Sequence, residues 1–218
     1  MEASSEVRPV QYEEILEYVH NLVGEGDELL QWASKRSDEL RGEGVYQIDP
    51  CSGRLLELLA RLRSPKLVLE IGSAVGYSAL WFMKGMPRDG ILDAIEVNPK
   101  VAKALETTIR KAGLMGRIRI HQGNALEILP ALKESYDMVF IDASKEQYPE
   151  YLEHAIHLTR SGSVIMADDV LKDLSVNGEK SSGQKGIAEY TRRIFSDKRL
   201  SSLIVPVGDG VALSYRIK

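Results

Sequence analysis

Val68-Leu-Glu-Ile-Gly-Ser-Ala-Val-Gly-Tyr-Ser78 carries an apolar run into an acidic residue, a glycine turn and the start of a helix. A backbone that turns sharply and admits a ligand at close range needs residues without a Cβ, and Gly72 and Gly76 supply them. The spacing Glu70-x-Gly72-x-x-x-Gly76 departs from the dinucleotide pattern G-x-G-x-x-G. The turn ends in Tyr77-Ser78 where a phosphate loop has Lys-Ser/Thr. The stretch reads as a site for a nucleotide-like ligand without a phosphate chain; a plain βα turn with two glycines is the alternative.

Downstream, short apolar runs alternate with amphipathic segments. Strands are expected near 67–71, 91–96, 117–121, 136–141 and 162–168, with helices between them, an order that implies parallel strands covered on both faces. The runs Leu203 to Val207 and Gly210 to Ile217 flank a Gly-Asp-Gly turn and predict an antiparallel hairpin. Upstream, Ile15, Leu16, Val19, Leu22, Leu29 and Leu30 have helical spacing, and Gly24 and Gly26 divide the stretch into two helices. The charged stretch Lys35 to Gly44 reads as a loop. Asp49-Pro50 then starts a helix whose apolar face is Leu55, Leu56, Leu58, Leu59 and Leu62. Asn177 to Gly186, rich in Gly, Ser and Lys, reads as a mobile loop. The expected fold is α/β, a doubly wound, seven-stranded, mostly parallel sheet with a C-terminal antiparallel hairpin. The 218 residues make one domain: an N-terminal helical extension over 1–44 and a core over 45–218. Strand order stays open at this level.

A content of 44% hydrophobic and 28% charged residues is that of a water-soluble globular chain. The net charge of −4 and pI near 5.7 disfavour a general nucleic-acid binder. One cysteine, Cys51, forms no internal disulfide and suits a reducing compartment. The first residues, Met-Glu-Ala-Ser-Ser-Glu, are acidic without an apolar h-region, and no apolar run has the length of a membrane span, so a cytoplasmic location is expected.

In an open α/β sheet the ligand crevice lies beyond the carboxyl ends of the strands. Glu70 ends the first strand and Glu96 the second. A carboxylate there can accept both hydroxyls of a ribose, although Glu96 can also be read as a helix N-terminal carboxylate. Gly123-Asn124-Ala125 follows the third strand, where backbone groups could meet an adenine edge; Gly-Asn is also a common turn. Asp142, in Phe140-Ile-Asp-Ala-Ser-Lys145, and Asp168-Asp169 stand at the ends of the fourth and fifth strands. Three carboxylates there suit a hard cation such as Mg²⁺, and capping of the next helices is the other reading.

Together these motifs resemble the class I S-adenosylmethionine-dependent O-methyltransferases, in particular the small metal-dependent group of catechol and caffeoyl-coenzyme A O-methyltransferases, over roughly residues 45 to 218. The resemblance implies that Glu70, Gly72 and Ser73 lie along the methionine part of S-adenosylmethionine, beside Gly76 and Tyr77 of the same turn, and that Ser78 holds its carboxylate. It gives the ribose to Glu96 and the adenine to Gly123, Asn124 and Ala125. Ile48 would line the cofactor near its methyl group, and Asp142 would border it. Asp142 and Asp168 become ligands of Mg²⁺ or another divalent cation. Asp169 stands where the group usually has Asn, adding a negative charge, and is expected to coordinate through one oxygen. Lys145, three residues after Asp142, has the spacing of the general-base lysine, a role that needs its ammonium pKa depressed from ~10.4.

The implied reaction is in-line methyl transfer to a hydroxyl of a small vicinal diphenol. A tRNA-modifying relative acting on a hydroxylated uridine would share the fold and motifs, with Lys180, Lys185, Arg192 and Arg193 as a local basic patch. A non-catalytic nucleotide-binding scaffold is a third reading. Leu171-Lys172-Asp173 departs from the Leu-Trp-Asn of the plant enzymes, so the acceptor pocket is not carried over; substrate choice is expected in 172–186 and the N-terminal helices. Trp32 could cover an acceptor ring. His154 and His157 read as a solvated helix face, and Trp81, Phe82 and Met83 as core. The resemblance also implies a homodimer, for which the leucine-rich segment before Leu67 offers an interface.

Overall fold

A computed structural model describes residues 11–172 and 181–218. Two helices, α1 (Tyr12–Val23) and α2 (Glu28–Glu39), precede α3 (Pro50–Arg63). Asp49 caps α3 by accepting the Cys51 N–H at 2.7 Å, with Pro50 in the first turn, where its missing N–H costs nothing. There follow β1 (Leu67–Ile71), α4 (Tyr77–Gly85), β2 (Ile91–Glu96), α5 (Pro99–Lys111), β3 (Ile118–Gln122), α6 (Ala125–Ile128), β4 (Tyr136–Ile141), α7 (Tyr148–His157), β5 (Thr159–Ala167), α8 (Ser182–Ser196), β6 (Leu200–Val205) and β7 (Val211–Arg216).

The seven strands form one sheet in the order β3-β2-β1-β4-β5-β7-β6. The first five are parallel, and β7 enters antiparallel between β5 and β6. β1 pairs with both β2 and β4, so Glu70 lies level with Ala94 on one side and Phe140 on the other. The strand order reverses at the β1/β4 boundary, where the connections leave in opposite directions and open a crevice beyond the strand ends. Central strands buried on both faces explain why Leu67–Ile71 and Tyr136–Ile141 are apolar but for one acid each, Glu70 and Asp137.

One core, with Trp81, Phe82, Phe140 and Leu92, lies on one face of the sheet; the other, with Ile71, Tyr148, Tyr151 and Tyr190, lies opposite. Phe82 and Phe140 meet edge-on at 5.8 Å between centroids. Trp81, Phe82 and Met83 are core as expected. His154 is half-buried and His157 exposed on α7.

Several local expectations are corrected. β5 starts at Thr159, before the expected 162, and the hairpin strands run Leu200–Val205 and Val211–Arg216 in place of Leu203 to Val207 and Gly210 to Ile217. Lys35 to Glu39 is helical, because Leu30, Ala33 and Ser37 form a buried stripe that the intervening charges do not interrupt. Ser182 to Gly186 is the first part of α8. Ser181 accepts from the Gln184 N–H, and the Gln184 side chain accepts from the Ser181 N–H, so the polar composition that reads as loop is a capping box. The rest of that expected loop, 177–180, lies outside the described residues, as does Asp173. Trp32 packs against the core with the Lys111 ammonium 5.3 Å above its ring; it does not border the crevice. Among the described residues no helix is long and apolar enough to cross a membrane.

Candidate functional site

The chain after β1 turns at Gly72 with φ +90° and again at Gly76 with φ +93°. A Cβ on Gly72 would lie 2.1 Å from the carbonyl oxygen of Asp142, and one on Gly76 would lie 2.7 Å from Leu105 Cδ1. At Gly72 a side chain is excluded by a backbone atom as well as by the left-handed backbone; at Gly76 the left-handed backbone is the reason, since the Leu105 methyl can move aside. The sharp turn expected from the sequence is present, and at Gly72 the Asp142 carbonyl adds a second reason beside the expected ligand approach. The turn is pinned to β2 by the N–H groups of Gly72 and Ser73, which both donate to Ile95 O at 3.0 Å.

A cleft of about 760 Å³ opens beyond the carboxyl ends of β1, β2, β3 and β4. It is lined by Gly72, Glu96, Gly123, Asn124, Ala125, Asp142, Lys145 and Asp169 among the residues singled out from sequence. Ile48 and Asp168 border an adjoining cavity of about 320 Å³, which shares Asp169 with the first. Glu70, Ser73, Gly76, Tyr77 and Ser78 lie behind the wall of the cleft, all buried. Tyr77 packs edge-on against Trp81, 6.3 Å between centroids.

Glu96 binds the turn to its own strand end: Oε2 accepts the Ala74 N–H at 3.0 Å and Oε1 the Asn98 N–H at 2.8 Å. Each oxygen keeps a lone pair for a hydroxyl donor from the cleft. Burial pushes the carboxyl of Glu96 up, and the backbone donors pull it back. Asn124 caps α6, its Oδ1 accepting the Leu126 N–H at 3.0 Å. At Glu70 neither carboxylate oxygen has a hydrogen-bond partner at normal geometry, and Ser73 Oγ is likewise unpaired. Complete burial raises the carboxyl to about 7, with the hydroxyls of Ser73 and Ser78 acting against that rise. Such a carboxylate fits the ammonium of an amino-acid moiety, which would supply the missing donors.

The acidic groups gather at the β4 and β5 ends around Lys145. Its Nζ lies 2.8 Å from Asp142 Oδ1 and 3.0 Å from Asp169 Oδ2, and donates to the Tyr148 hydroxyl at 2.7 Å. Tyr148 in turn donates to the Asp168 carbonyl at 3.0 Å. Asp169 has φ +61°, a left-handed conformation that Asp tolerates better than most residues. Lys172 approaches Asp169 at 3.5 Å and Asp209 at 3.2 Å.

Burial lowers the Lys145 ammonium pKa, but Asp142 and Asp169 outweigh it and hold the lysine protonated. Burial raises the carboxyls of Asp142 and Asp168, and their proximity to each other and to Asp169 raises the latter further. The expected shell of Asp142, Asp168 and Asp169 around one cation is thus not what the side chains form: the lysine bridges two of them. Among the described residues no three His, Cys, Asp or Glu side chains are arranged to hold a metal ion. The donor chemistry nonetheless fits one, since Asp168 Oδ1 is buried without a partner and the oxygen set is hard and over-negative.

Several lining residues are ones the sequence did not single out. Val97, Asn98, Ala143 and Ser144 adjoin recognised motifs and were within reach of them. Val45 and Tyr46 lie just before Ile48, while Gly208 and Asp209, expected only as a hairpin turn, come from a distant segment with no local signal of a site.

The O-methyltransferase family model matches residues 27–217. A catechol O-methyltransferase of Niastella koreensis is 37% identical over 214 residues, covering 93% of this chain and 96% of that protein. The crystal structure of the Streptomyces achromogenes O-methyltransferase TomG, involved in tomaymycin synthesis and in complex with SAM, superposes with a TM-score of 0.80 at 30% identity, over 94% of this chain and 96% of the other. A Bacillus cereus O-methyltransferase in complex with SAH gives a TM-score of 0.84 at 26% identity, over 93% and 96%. With its sheet order, its glycine turn and its crevice at the β1/β4 reversal, the chain belongs to the class I S-adenosylmethionine-dependent O-methyltransferase family.

Proposed function

We propose that the protein transfers the methyl group of S-adenosylmethionine to one hydroxyl of a small vicinal diphenol, with a divalent cation at the acidic cluster. The observation that carries this reading is that Lys145, Asp142 and Asp169 border the same cleft as Gly72, Glu96 and Ala125, so donor and acceptor chemistry meet in one space. When bound, S-adenosylmethionine supplies an electrophilic methyl and the cation lowers the pKa of a chelated hydroxyl by several units.

The chain's own residues supply the rest. Glu70 and Ser73, buried just behind the wall with unpaired oxygens, would take the polar end of the donor, and Glu96, on the cleft wall, its ribose hydroxyls. Asp142, Asp168 and Asp169 would hold the cation, and sharing their charge with it would remove what keeps Lys145 protonated. Its Nζ, still oriented by Tyr148, then takes the acceptor proton. Asp168, Asp169, Asp49 and Asp209 give the adjoining cavity an acidic lining, which disfavours a polyanionic acyl-coenzyme A acceptor and favours a small neutral or cationic catechol. The tRNA reading finds less support: Arg192 and Arg193 are both bonded to Glu189, Arg193 also to Glu153, and Lys180 lies outside the described residues.

Incubation with labelled S-adenosylmethionine and a panel of catechols, flavonoids, acyl-coenzyme A phenols and hydroxyuridine tRNA, with and without chelator, tests the proposal. Methylation of simple catechols, abolished by chelator and reduced by Lys145→Ala on the order of 10²-fold or more, is expected. Turnover of the tRNA alone would replace this reading.

A further inference from the structure

We infer that helix α8 positions Lys145, and that Gly186 is the contact through which it does so; the inference rests on the reading of Lys145 as the general base. α8 buries Gly186, Tyr190 and Ile194, each four residues from the next, so one narrow face meets the body of the protein. At Gly186 that approach is closer than any side chain permits. A Cβ there would lie 2.2 Å from the Lys145 carbonyl oxygen, 2.6 Å from Glu146 Cα and 3.0 Å from the Glu146 carbonyl carbon. All three are backbone atoms, so no change of rotamer relieves the overlap. Gly183, one turn earlier, provides a contrast: its Cβ would meet Lys145 Cβ at 3.4 Å, an ordinary contact.

A second route runs through side chains. The ring of Tyr190 stands edge-on to that of Tyr148, with centroids 5.5 Å apart. Tyr148 in turn accepts the hydrogen bond from Lys145 Nζ. α8 therefore holds the backbone of the lysine on one side and the partner of its ammonium on the other. Glycine within a helix costs ~1 kcal/mol relative to alanine, and at position 186 the close approach accounts for it.

Admitting one methyl at position 186 requires the Lys145 turn to retreat by about 1 Å, a displacement of the size that can cost on the order of 10²-fold in rate. A double-mutant cycle separates positioning from general loosening: wild type, Lys145→Ala, Gly186→Ala and the double variant, with Gly183→Ala as control. Readouts are kcat and acceptor KM on a catechol, and S-adenosylmethionine affinity by calorimetry. Gly186→Ala is expected to lower kcat roughly 10- to 100-fold while KM and cofactor affinity stay within about threefold, and to add less than about threefold to Lys145→Ala. Gly183→Ala should stay near wild type. Equal losses in both backgrounds, or unchanged kcat in Gly186→Ala, would overturn the inference. Full activity of Lys145→Ala would instead remove the base assignment, and the inference with it. Should Gly186→Ala fold poorly, Tyr190→Leu, which deletes the ring contact on Tyr148, takes its place in the same cycle.

Discussion

Replacing Glu70 by Gln exposes a conflict between stability and cofactor binding. The Glu70 carboxyl is completely buried, has no hydrogen-bond partner at normal geometry for either oxygen, and is pushed up by burial from its ordinary 4.5 to about 7. Below pH 4.5 it is protonated in both folded and unfolded chains, and folding is indifferent to it. Between pH 4.5 and about 7 the folded chain keeps a proton that the unfolded chain has released, so stability falls as pH rises, and above 7 the loss is complete. At ~1.4 kcal/mol per pH unit that loss is about 3 kcal/mol. Gln is neutral throughout and nearly isosteric. Cofactor-free Glu70→Gln should therefore match wild type near pH 4.5 and exceed it at pH 8 by up to about 3 kcal/mol, or roughly 6–12 °C in Tm for a chain of this size. Urea denaturation at both pH values, with equal m-values, measures this. Calorimetry on the same variant should show S-adenosylmethionine affinity reduced by roughly 100-fold, since a buried charge partner is gone. Identical midpoints for wild type and variant at pH 8 would refute the reasoning.

Three further outcomes are expected. Gly72→Ala combines a φ of +90° with a Cβ 2.1 Å from the Asp142 carbonyl, so chemical denaturation should show a loss of at least ~3 kcal/mol, far beyond a surface substitution. Calorimetric titration with Mg²⁺ or Mn²⁺ should show one site that Asp168→Ala abolishes, and turnover should fall at least ~10²-fold in chelator; chelator-insensitive turnover would remove the cation from the mechanism. Leu62 is 84% exposed and Leu58 49% on α3, so light scattering should find a homodimer that Leu62→Lys weakens about tenfold or more; a monomeric wild type at micromolar concentration counts against that interface.

Most of the fold was legible in the chain because its signals are local. β1, β2 and β4 begin and end where their apolar runs do, Asp49-Pro50 starts α3, and the glycines at 72 and 76 mark the turn. Two misread segments share a cause. Lys35 to Glu39 and Ser182 to Gly186 look like loops by composition, yet one is carried by a buried stripe and the other by a cap and a tight packing contact, both of which depend on partners remote in sequence.

By itself the sequence determined the order of elements, the glycine turn, and the acids at the strand ends, since each is set by the period of a few neighbouring residues. Only the tertiary structure decided that β1 lies against β4, that β7 inserts between β5 and β6, and that Val45, Tyr46, Gly208 and Asp209 border the site. It also decided that Lys145 bridges Asp142 and Asp169, and that α8 presses its glycine onto the lysine's backbone. These are long-range contacts, settled by how two cores pack on one twisted sheet and by which buried charges must find partners.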